Sequence, residues 1–429
     1  MSVAQLKERL ENINVRRAMA RIYGPSAETL REQAERYARL LDLFAGRFPD
    51  AADNLGLFSA PGRVEIGGNH TDHNHGRILA AAVDLDTIAV AAPTDETIVT
   101  VHSDGYDRPF TVDLADLSPQ SSERHTTNAL IRGVAAHLVE TGQRVGGFQA
   151  CLASAIPVGS GLSSSAACEV LTGAIFNHFF SNGRLEPRQI ALAGQHAENF
   201  YFGKPSGLMD QMTSTLGGFV TIDFAHPRDP KVRSVEFDLS GGGFVLVVTN
   251  TGVSHANLTN EYGAVQREME AVAQALGGSV LRDISEDNLL AHIPEIRSRV
   301  GDRAILRALH FFADNRRVAE QVASLEIGDT GRFLALVRES GRSSWMLLQN
   351  CHAGGSIEQG LCLALALSEL VLRGSGAWRV HGGGFGGTIL AIVPTDLVDE
   401  YIRRMEDVFG PEAARALHVR PTGATRIKI

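Results

Sequence analysis

The sequence predicts a two-domain α+β protein that is preceded by a helical segment. A chain of 429 residues is too long for one ordinary hydrophobic core. Short β-rich runs begin at Leu55, and the chain ends in the order strand, glycine loop, strand, helix and strand, which is typical of an α+β unit. We therefore predict a helical extension over residues 1–54, a first domain over 55–240 and a second domain over 241–429.

The predicted extension carries an apolar stripe at helical spacing. In the run LREQAERYARLLDLFAGRF, apolar side chains recur three or four positions apart, at Leu30, Ala34, Tyr37, Leu40 and Leu41. A Pro-Ser pair just before this run is a helix-start signal. We predict that the extension packs as an appendage on the domains that follow.

Composition restricts the partners and the compartment. The chain has 49 acidic against 40 basic residues and no run of Lys or Arg, so we expect neither nucleic acid nor a membrane surface as a partner. No apolar run approaches the roughly 20 residues of a membrane span, and the charged N-terminus is no signal peptide. The four cysteines lie in apolar runs, which favours buried free thiols and a cytoplasmic location: Cys151, Cys168, Cys351 and Cys362.

The run AIPVGSGLSSSAACEV at 155–170 predicts a glycine-containing turn that leads into a helix. Unsatisfied N–H groups and the helix dipole make such a helix start a site for anions, and Gly159 and Gly161 allow close approach of a phosphate. The run lacks the Gly-Lys-Ser/Thr of a Walker A loop and the later acid of a dinucleotide fold. A phosphate-binding loop and a well-capped core helix both fit this pattern.

The run HGGGFGGTILAIV at 381–393 contains a second glycine-rich loop. Gly382, Gly384 and Gly387 match G-x-G-x-x-G, but a strand follows instead of the helix that a dinucleotide-binding fold requires. We interpret this loop as a segment that closes over a ligand.

Two further segments carry candidate ligands. In AENFYFGKPSGLMDQ, Glu198 lies on a predicted helix and Asp210 follows a tight turn. This arrangement suits a metal ligand and a base, or two solvated carboxylates. The run GGNHTDHNHG at 67–76 fits a zinc site, a sugar site or a polar turn.

These segments occur in one order, together with APGRVEIGGNHTDHNHG at 60–76, and they resemble galactokinases of the GHMP kinase superfamily. The galactokinase signature G-R-V-N-L-I-G-E-H-T-D-Y-N appears here as GRVEIGGNHTDHN, and the resemblance extends from about residue 57 to the end. It implies a two-domain GHMP kinase fold with the active site between the domains. It also implies a monomeric or homodimeric sugar 1-kinase that uses ATP and Mg²⁺ on galactose.

The resemblance implies a role for each matching residue. Asp210 would accept or orient the proton of the anomeric hydroxyl, and Arg63 would keep Asp210 ionised. Mg²⁺ would be held by Ser164 and Glu198, with Ser165 as a further candidate. The loop that binds the ATP phosphates would comprise Gly159, Ser160, Gly161, Leu162, Ser163, Ser164 and Ser165. The residues that contact the sugar would be Asn69, His70, Asp72, Gly207 and Tyr262.

One departure from the signature leaves the sugar open. Asn69 stands where galactokinases carry Glu, and the loss of that charge would favour a sugar with a carboxylate at C6, such as galacturonate. On this hypothesis Asn69→Glu raises the preference for galactose. A non-catalytic galactose sensor is less consistent with the sequence because Arg63, Glu198 and Asp210 are all present. A metal-binding or nucleotide-cofactor protein of another class is the third alternative.

Overall fold

The computed structural model describes residues 3–51, 54–157, 161–252, 259–352 and 357–428, without the side chain of residue 259. Within these ranges the chain forms two β-sheets with helices packed on their faces. This confirms the predicted α+β class.

The regular elements are as follows. The helices are α1 (Val3–Leu10), α2 (Ile13–Tyr23), α3 (Ala27–Arg47), α4 (Thr127–Glu140), α5 (Ser164–Phe180), α6 (Pro187–His196), α7 (Met209–Leu216), α8 (Thr259–Ala275), α9 (Glu286–Val300), α10 (Asp302–Glu326), α11 (Thr330–Ser343), α12 (Gly360–Leu372) and α13 (Val398–Phe409). The strands are β1 (Gly56–Gly67), β2 (Arg77–Pro93), β3 (Ile98–Ser103), β4 (Phe110–Asp113), β5 (Phe148–Ser154), β6 (Phe219–Asp223), β7 (Lys231–Val235), β8 (Phe244–Asn250), β9 (Ala377–Val380), β10 (Thr388–Pro394), β11 (Ala414–Leu417) and β12 (Thr425–Arg426).

The larger sheet is built around β2. Its strand order is β12-β1-β2-β5-β3-β4, and β6 pairs with β2 and with β7. One edge of β2 pairs with β1, while its other edge pairs first with β6 and then with β5. Every residue of β1 is buried, and β2 is buried along most of its length, because helices cover both faces of this sheet.

The N-terminal helices cover one of these faces. Leu41 and Phe44 of α3 are fully buried and join a cluster with Leu57 of β1 and Val90 of β2. Phe58, the neighbour of Leu57, points to the opposite face and joins the cluster that contains the apolar side chains of α4 and α5. Because successive side chains of a strand point to opposite faces of the sheet, they belong to two separate hydrophobic cores. The N-terminal helices therefore pack against the larger sheet.

The smaller sheet is antiparallel and has the order β11-β8-β10-β9. Because β10 and β11 each pair antiparallel with β8, they run parallel to each other, and α13 provides the crossover between them. The final residues then leave this sheet: Thr425 and Arg426 pair with Ser59 and Phe58 of β1. The predicted second domain, 241–429, includes this tail, and its bounds stay a prediction. The pairing of the tail with β1 joins residues that are far apart in the chain.

A buried carboxylate ties the two ends of the chain to the larger sheet. Asp86 of β2 is fully buried and accepts hydrogen bonds from Tyr23 at 2.6 Å, Arg36 at 2.9 Å and Arg420 at 3.2 Å. The hydroxyl of Ser59 donates to the same carboxylate. The buried Asp86 carboxylate therefore has both counter-charges and hydrogen-bond donors, and a buried ion pair requires both.

No helix among those described combines the length and apolarity of a membrane span. The cysteines carry free thiols, and Cys151, Cys351 and Cys362 are buried.

Replacement of Asp86 by asparagine is expected to destabilise the fold. Asp86→Asn leaves Arg36 and Arg420 without their buried counter-charge, so the free energy of unfolding should fall by about 3–5 kcal/mol. Asp42→Asn is the matched control, since Asp42 forms an exposed ion pair with Lys7, and it should cost less than about 1 kcal/mol. Urea denaturation followed by circular dichroism measures both. Equal losses in the two variants would contradict the proposed role of Asp86.

Candidate functional site

A small polar cavity lies between the end of β1 and the glycine-rich loop after β9. Its volume is about 140 Å³, well below the roughly 300–1,000 Å³ of pockets for drug-sized ligands. The lining consists of Arg63, Glu65, Gly68, Asn69, His70, Asp72, His73, Ile78, Met209, Gly382 and Gly383. Because most of these side chains are polar or charged, the cavity suits a small ligand that is rich in hydroxyl groups.

Strand β1 carries two of these side chains, Arg63 and Glu65. Arg63 and Glu65 are two residues apart, so they leave the same face of the strand. The pairing of β1 with β2 shifts register between Pro61 and Arg63 and again between Glu65 and Gly67. Bulges of this kind re-aim side chains beside active sites, and here they flank the segment that lines the cavity.

Arg63 and Asp210 form a bidentate ion pair at one side of the cavity. Nε and Nη2 of Arg63 donate to the two carboxylate oxygens of Asp210 at 2.7 and 2.6 Å, and Ser163 donates to the same carboxylate. Burial by itself raises the pKa of Asp210, but the Arg63 charge and the hydrogen bonds from Ser163 and Arg63 together lower it below its usual value. Asp210 is therefore ionised and can accept a proton from a ligand hydroxyl or orient that hydroxyl.

The end of the predicted phosphate loop is attached to this ion pair. Nη1 of Arg63 donates to the carbonyl of Gly161, and the Arg63 backbone N–H donates to the carbonyl of Leu162 at 3.1 Å. Gly161 has a φ of 75°, a conformation that favours glycine. Gly159 and Ser160, which are predicted to bind phosphate, lie outside the described residues.

Helix α5 begins directly after this attachment. Ser163 precedes the helix with a φ of 62°, and Ser164 is its first residue. Since Ser163 contacts Asp210, the N-terminal end of α5 lies next to the ion pair. The unpaired N–H groups and the helix dipole favour an anion at this end.

Glu198 lies in a π-helical turn, Ala197–Phe202, and is fully buried. Its Oε1 accepts hydrogen bonds from Ser165 at 3.0 Å and from Lys204 at 2.8 Å, and its Oε2 accepts one from Gln211 at 2.8 Å. The hydroxyl that meets Glu198 thus belongs to Ser165. Ser164 is the predicted Mg²⁺ ligand and Ser165 the further candidate, and the choice between them stays a prediction.

The contact between Ser165 and Glu198 fits Mg²⁺. Ser165 Oγ and Glu198 Oε1 are 3.0 Å apart, so one cation could bind both oxygens. A hydroxyl and a buried carboxylate are also the oxygen donors that this hard cation prefers.

A second buried carboxyl lies behind Glu198. Nε2 of Gln211 donates to Glu169 at 2.9 Å and to Glu198 at 2.8 Å, so the amide bridges the two acids. Burial, and then the charge of Glu198, hold the pKa of Glu169 well above its usual range. Of the two acids, Glu198 is the one that accepts hydrogen bonds from Ser165 and Lys204.

The side chain of Asn69 is buried, and both its amide nitrogen and its amide oxygen are hydrogen-bonded. Its Nδ2 donates to Glu65 at 3.0 Å and to the carbonyl of Gly382 at 2.7 Å. Its Oδ1 accepts from Asn350 at 2.7 Å and from Ser344 at 3.2 Å. The predicted contact with a sugar stays a prediction, because the described contacts of this amide are all with the protein.

His70 and Asp72 line another wall of the cavity, and Gly207 lies against Asp72. Nε2 of His70 lies 3.0 Å from the carbonyl of Gly383, which makes it the donor nitrogen. Burial, and then the charge of His73, lower the pKa of His70 to about 4, so the ring is neutral. Its Nδ1 has no partner among the described atoms and can accept a ligand hydroxyl. Gly207 lies so close that a Cβ there would be 2.7 Å from Asp72 Oδ2.

Tyr262 contacts the glycine-rich loop. Its hydroxyl donates to the carbonyl of Gly384 at 3.0 Å, and its ring packs edge-on against Phe385 with centroids 5.6 Å apart. Residues 253–258, which precede it in the predicted sugar-contact segment, lie outside the described ranges. The contact of Tyr262 with a sugar likewise stays a prediction.

The zinc alternative for GGNHTDHNHG gains no support. His70 and His73 have ring centroids 5.6 Å apart, and His70 is hydrogen-bonded to the glycine loop. Within the part of the chain that the structure describes, the group of three His, Cys, Asp or Glu residues whose ligand atoms all lie within 4.8 Å of one another is a different one, formed by His137, Glu140 and His196.

Several residues of the site were not found from the sequence. His381 is buried, accepts the backbone N–H of Glu65 at 3.3 Å, and lies beside Gly161, where a Cβ would be 3.0 Å from its Nδ1. Burial, and then the charge of Arg63, lower the pKa of His381 to about 3, so it is neutral. The others are Glu65, Lys204, Gln211 and Arg379. The usable signals were the position of Lys204 between Glu198 and Asp210 and the presence of Glu65 within the signature.

Comparison with known proteins shows the family to which the chain belongs. The galactokinase galactose-binding signature matches residues 42–93, and the N-terminal domain of GHMP kinases matches residues 129–218. A galactokinase from Streptomyces coelicolor is 35% identical over 381 residues, which cover 87% of this chain and 95% of that protein.

Solved structures show the same fold. Lactococcus lactis galactokinase complexed with galactose has a TM-score of 0.75 at 23% identity, with coverage of 90% of this chain and 98% of that one. Methanococcus jannaschii mevalonate kinase has a TM-score of 0.60 at 16% identity, with coverage of 85% and 98%. The predicted GHMP kinase fold is thus confirmed. Since the Streptomyces relative matches over nearly its whole length, the chain belongs to the galactokinase family of the GHMP kinases.

Proposed function

We propose that this protein transfers the γ-phosphoryl group of ATP to the anomeric hydroxyl of galactose and so forms galactose 1-phosphate. The observation that carries this proposal is the ionised Asp210, held by Arg63 between the polar cavity and the N-terminus of α5. A hydroxyl in the cavity is thereby placed beside a base, and an anion at α5 lies on the other side of that base. The Streptomyces and Lactococcus galactokinases support galactose as the sugar.

The reaction needs positioning and charge neutralisation more than a strong base. A bond forms between the anomeric oxygen and the γ-phosphorus, and the bond to the ADP oxygen breaks through a loose transition state. The proton of the anomeric hydroxyl passes to Asp210. Because the proton can leave late in such a transition state, a positioned carboxylate with a low pKa is sufficient.

Positive charge at the site would stabilise the transferring phosphoryl. Arg63 and the N-terminus of α5 lie beside the predicted phosphate loop, and Lys204 is hydrogen-bonded to Glu198. Mg²⁺ would be held by Ser165 and Glu198, with Ser164 as the alternative hydroxyl, and when bound it neutralises phosphate charge. Lys204 supplies an additional cation 2.8 Å from the Glu198 carboxylate.

Galactose fits the lining better than galacturonate. Glu65 and Asp72 both line the cavity, so a sugar carboxylate would meet like charges there. Asn69 considered alone favours galacturonate, because one carboxylate of the signature is lost. Glu65 restores that charge 3.0 Å from the Asn69 amide.

We further propose that the protein acts in the cytoplasm as a monomer or homodimer with a small sugar as its partner. Free thiols at Cys151, Cys351 and Cys362, all buried, agree with a reducing compartment.

The first test is ATP consumption by the purified protein with Mg²⁺ across galactose, galacturonate, N-acetylgalactosamine, glucose and arabinose. Galactose should give the highest kcat/KM. Preferred turnover of galacturonate would overturn the sugar assignment. ATP binding without turnover of any sugar would support the alternative of a non-catalytic sensor.

Asp210→Asn should lower kcat by about 10²–10⁴-fold while ATP binding stays near normal. The amide keeps the shape of the carboxylate but cannot take the proton. Asp210→Ala should be at least as severe. Asp229→Asn is the control, since Asp229 is exposed and paired with Arg188, and it should leave kcat unchanged. Stopped-time assays of galactose 1-phosphate and calorimetric titration with an ATP analogue provide the two measurements. Near-normal kcat in Asp210→Asn would remove Asp210 from the chemistry.

Glu198→Gln should raise the Mg²⁺ concentration needed for half-maximal rate by about tenfold or more. Glu169→Gln is the matched control, because Glu169 is bonded to the same Gln211 while Ser165 and Lys204 are bonded to Glu198, and its Mg²⁺ requirement should stay close to that of the wild type. Rates measured over a Mg²⁺ series at fixed ATP separate the two variants. An equal change in both would show that the effect is one of packing.

A further inference from the structure

We propose that Glu65 presents the sugar-facing carboxylate of the cavity and that Asn69 holds it there, so that acid and amide have exchanged places relative to the galactokinase signature. This inference rests on the proposed function, because it names the group that selects the sugar at that site. The signature has an amide where this chain has Glu65 and an acid where this chain has Asn69. A pair of changes that lie four residues apart and in hydrogen-bond contact can compensate each other.

The first step is that Asn69 cannot be replaced by an acid without loss. Its Nδ2 donates to the Glu65 carboxylate and to the carbonyl of Gly382. A carboxylate in this position would present oxygens to two acceptors, one of them charged. Like charges in a buried site repel strongly, so an acid at position 69 requires a neutral side chain at position 65.

The second step is that Glu65 has one oxygen available for a ligand. Within the described residues, both donors to its carboxylate meet Oε1: Asn69 at 3.0 Å and Arg379 at 2.8 Å. Glu65 lines the cavity, and its side chain is only 7% exposed. Arg379 is fully buried and supplies the counter-charge that keeps a carboxylate tolerable here.

The third step concerns the ligand. An ionised carboxylate accepts hydrogen bonds only, so Oε2 of Glu65 selects a ligand group that donates, such as a sugar hydroxyl. A hydroxyl bound to a charged acceptor gains more than one bound to a neutral amide. A carboxylate on the sugar has nothing to donate and repels the acceptor. Glu65 therefore favours a neutral hexose, and Asn69 acts as a positioning residue.

A double-mutant cycle tests the exchange. The full-length protein is compared with Glu65→Asn, with Asn69→Glu and with the double variant that carries both changes, using galactose KM, kcat and the galactose Kd from calorimetry. Each single change should weaken galactose binding by about ten- to a hundredfold. Glu65→Asn removes the charged acceptor of a hydrogen bond, and Asn69→Glu places a second carboxylate against Glu65. The double variant should return to within about threefold of the wild type, with kcat changed less than KM throughout.

Additive losses in the double variant, or single variants with unchanged KM and Kd, would overturn the proposal. Loss of thermal stability with unchanged Kd would show that Glu65 serves only as the partner of Arg379. The cycle can be measured from Kd alone. If the wild type binds galactose but does not turn it over, the proposed function is rejected, while the inference about Glu65 and Asn69 can still be tested. Absence of galactose binding would reject the inference as well.

A pH series gives an independent readout. Burial raises the pKa of Glu65 to about 7, although Arg379 and then Arg63 lower it, and Asp72 adds to the rise. The acceptor is the ionised form, so galactose KM should increase as the pH falls through about 7. His70 and His381 stay neutral in this range because burial lowers their pKa values to about 4 and about 3. In Glu65→Gln the dependence near pH 7 should disappear, and its persistence would contradict the assignment.

Discussion

The turn after β1 is held to the C-terminal half of the chain by buried hydrogen bonds, and the site depends on this attachment. The backbone N–H groups of Gly68 and Asn69 donate to Asp314 at 3.0 and 3.1 Å, and the carbonyl of Asn69 accepts from His310 at 2.9 Å. The Asn69 amide adds bonds to the glycine loop and to Asn350. Polar groups buried this deeply are costly unless every one is paired, so the network permits one arrangement of turn and loop. That arrangement defines the cavity.

Some of the buried polar atoms that lack a hydrogen-bond partner lie at or beside the same cavity. Among the described residues these include Nδ1 of His70, Nδ1 of His381 and Nη1 of Arg379. Folded proteins seldom leave such atoms unpaired, and an exception calls for a local explanation. Here the atoms belong to residues that border the cavity or contact those that do. A ligand rich in hydroxyl and phosphate oxygens offers partners of the kind that these atoms lack.

The sequence predicted local features well and long-range ones poorly. The apolar stripe of α3, the helix after the serine run and the α+β class followed from spacing and composition. The pairing of β12 with β1 did not, because it joins Ser59 to Thr425 with no local pattern. At the site, Asp210 and Arg63 were found through the resemblance. The resemblance did not predict that Ser165, and not Ser164, is hydrogen-bonded to Glu198. A rotation of one residue around the helix decides which hydroxyl faces the acid.

Asn69 illustrates why a single departure from a signature is a weak guide to specificity. Read alone, the change from acid to amide removes a charge and predicts a different sugar. The structure places a second departure, Glu65, in contact with it, and the two together leave the number of carboxylates in the pair unchanged. A ligand responds to the potential and the donors that it meets in the cavity, whichever strand position supplies them. Specificity is therefore set by the Glu65–Asn69–Arg379 group as a unit, and the identity of any one member has no fixed meaning without the other two.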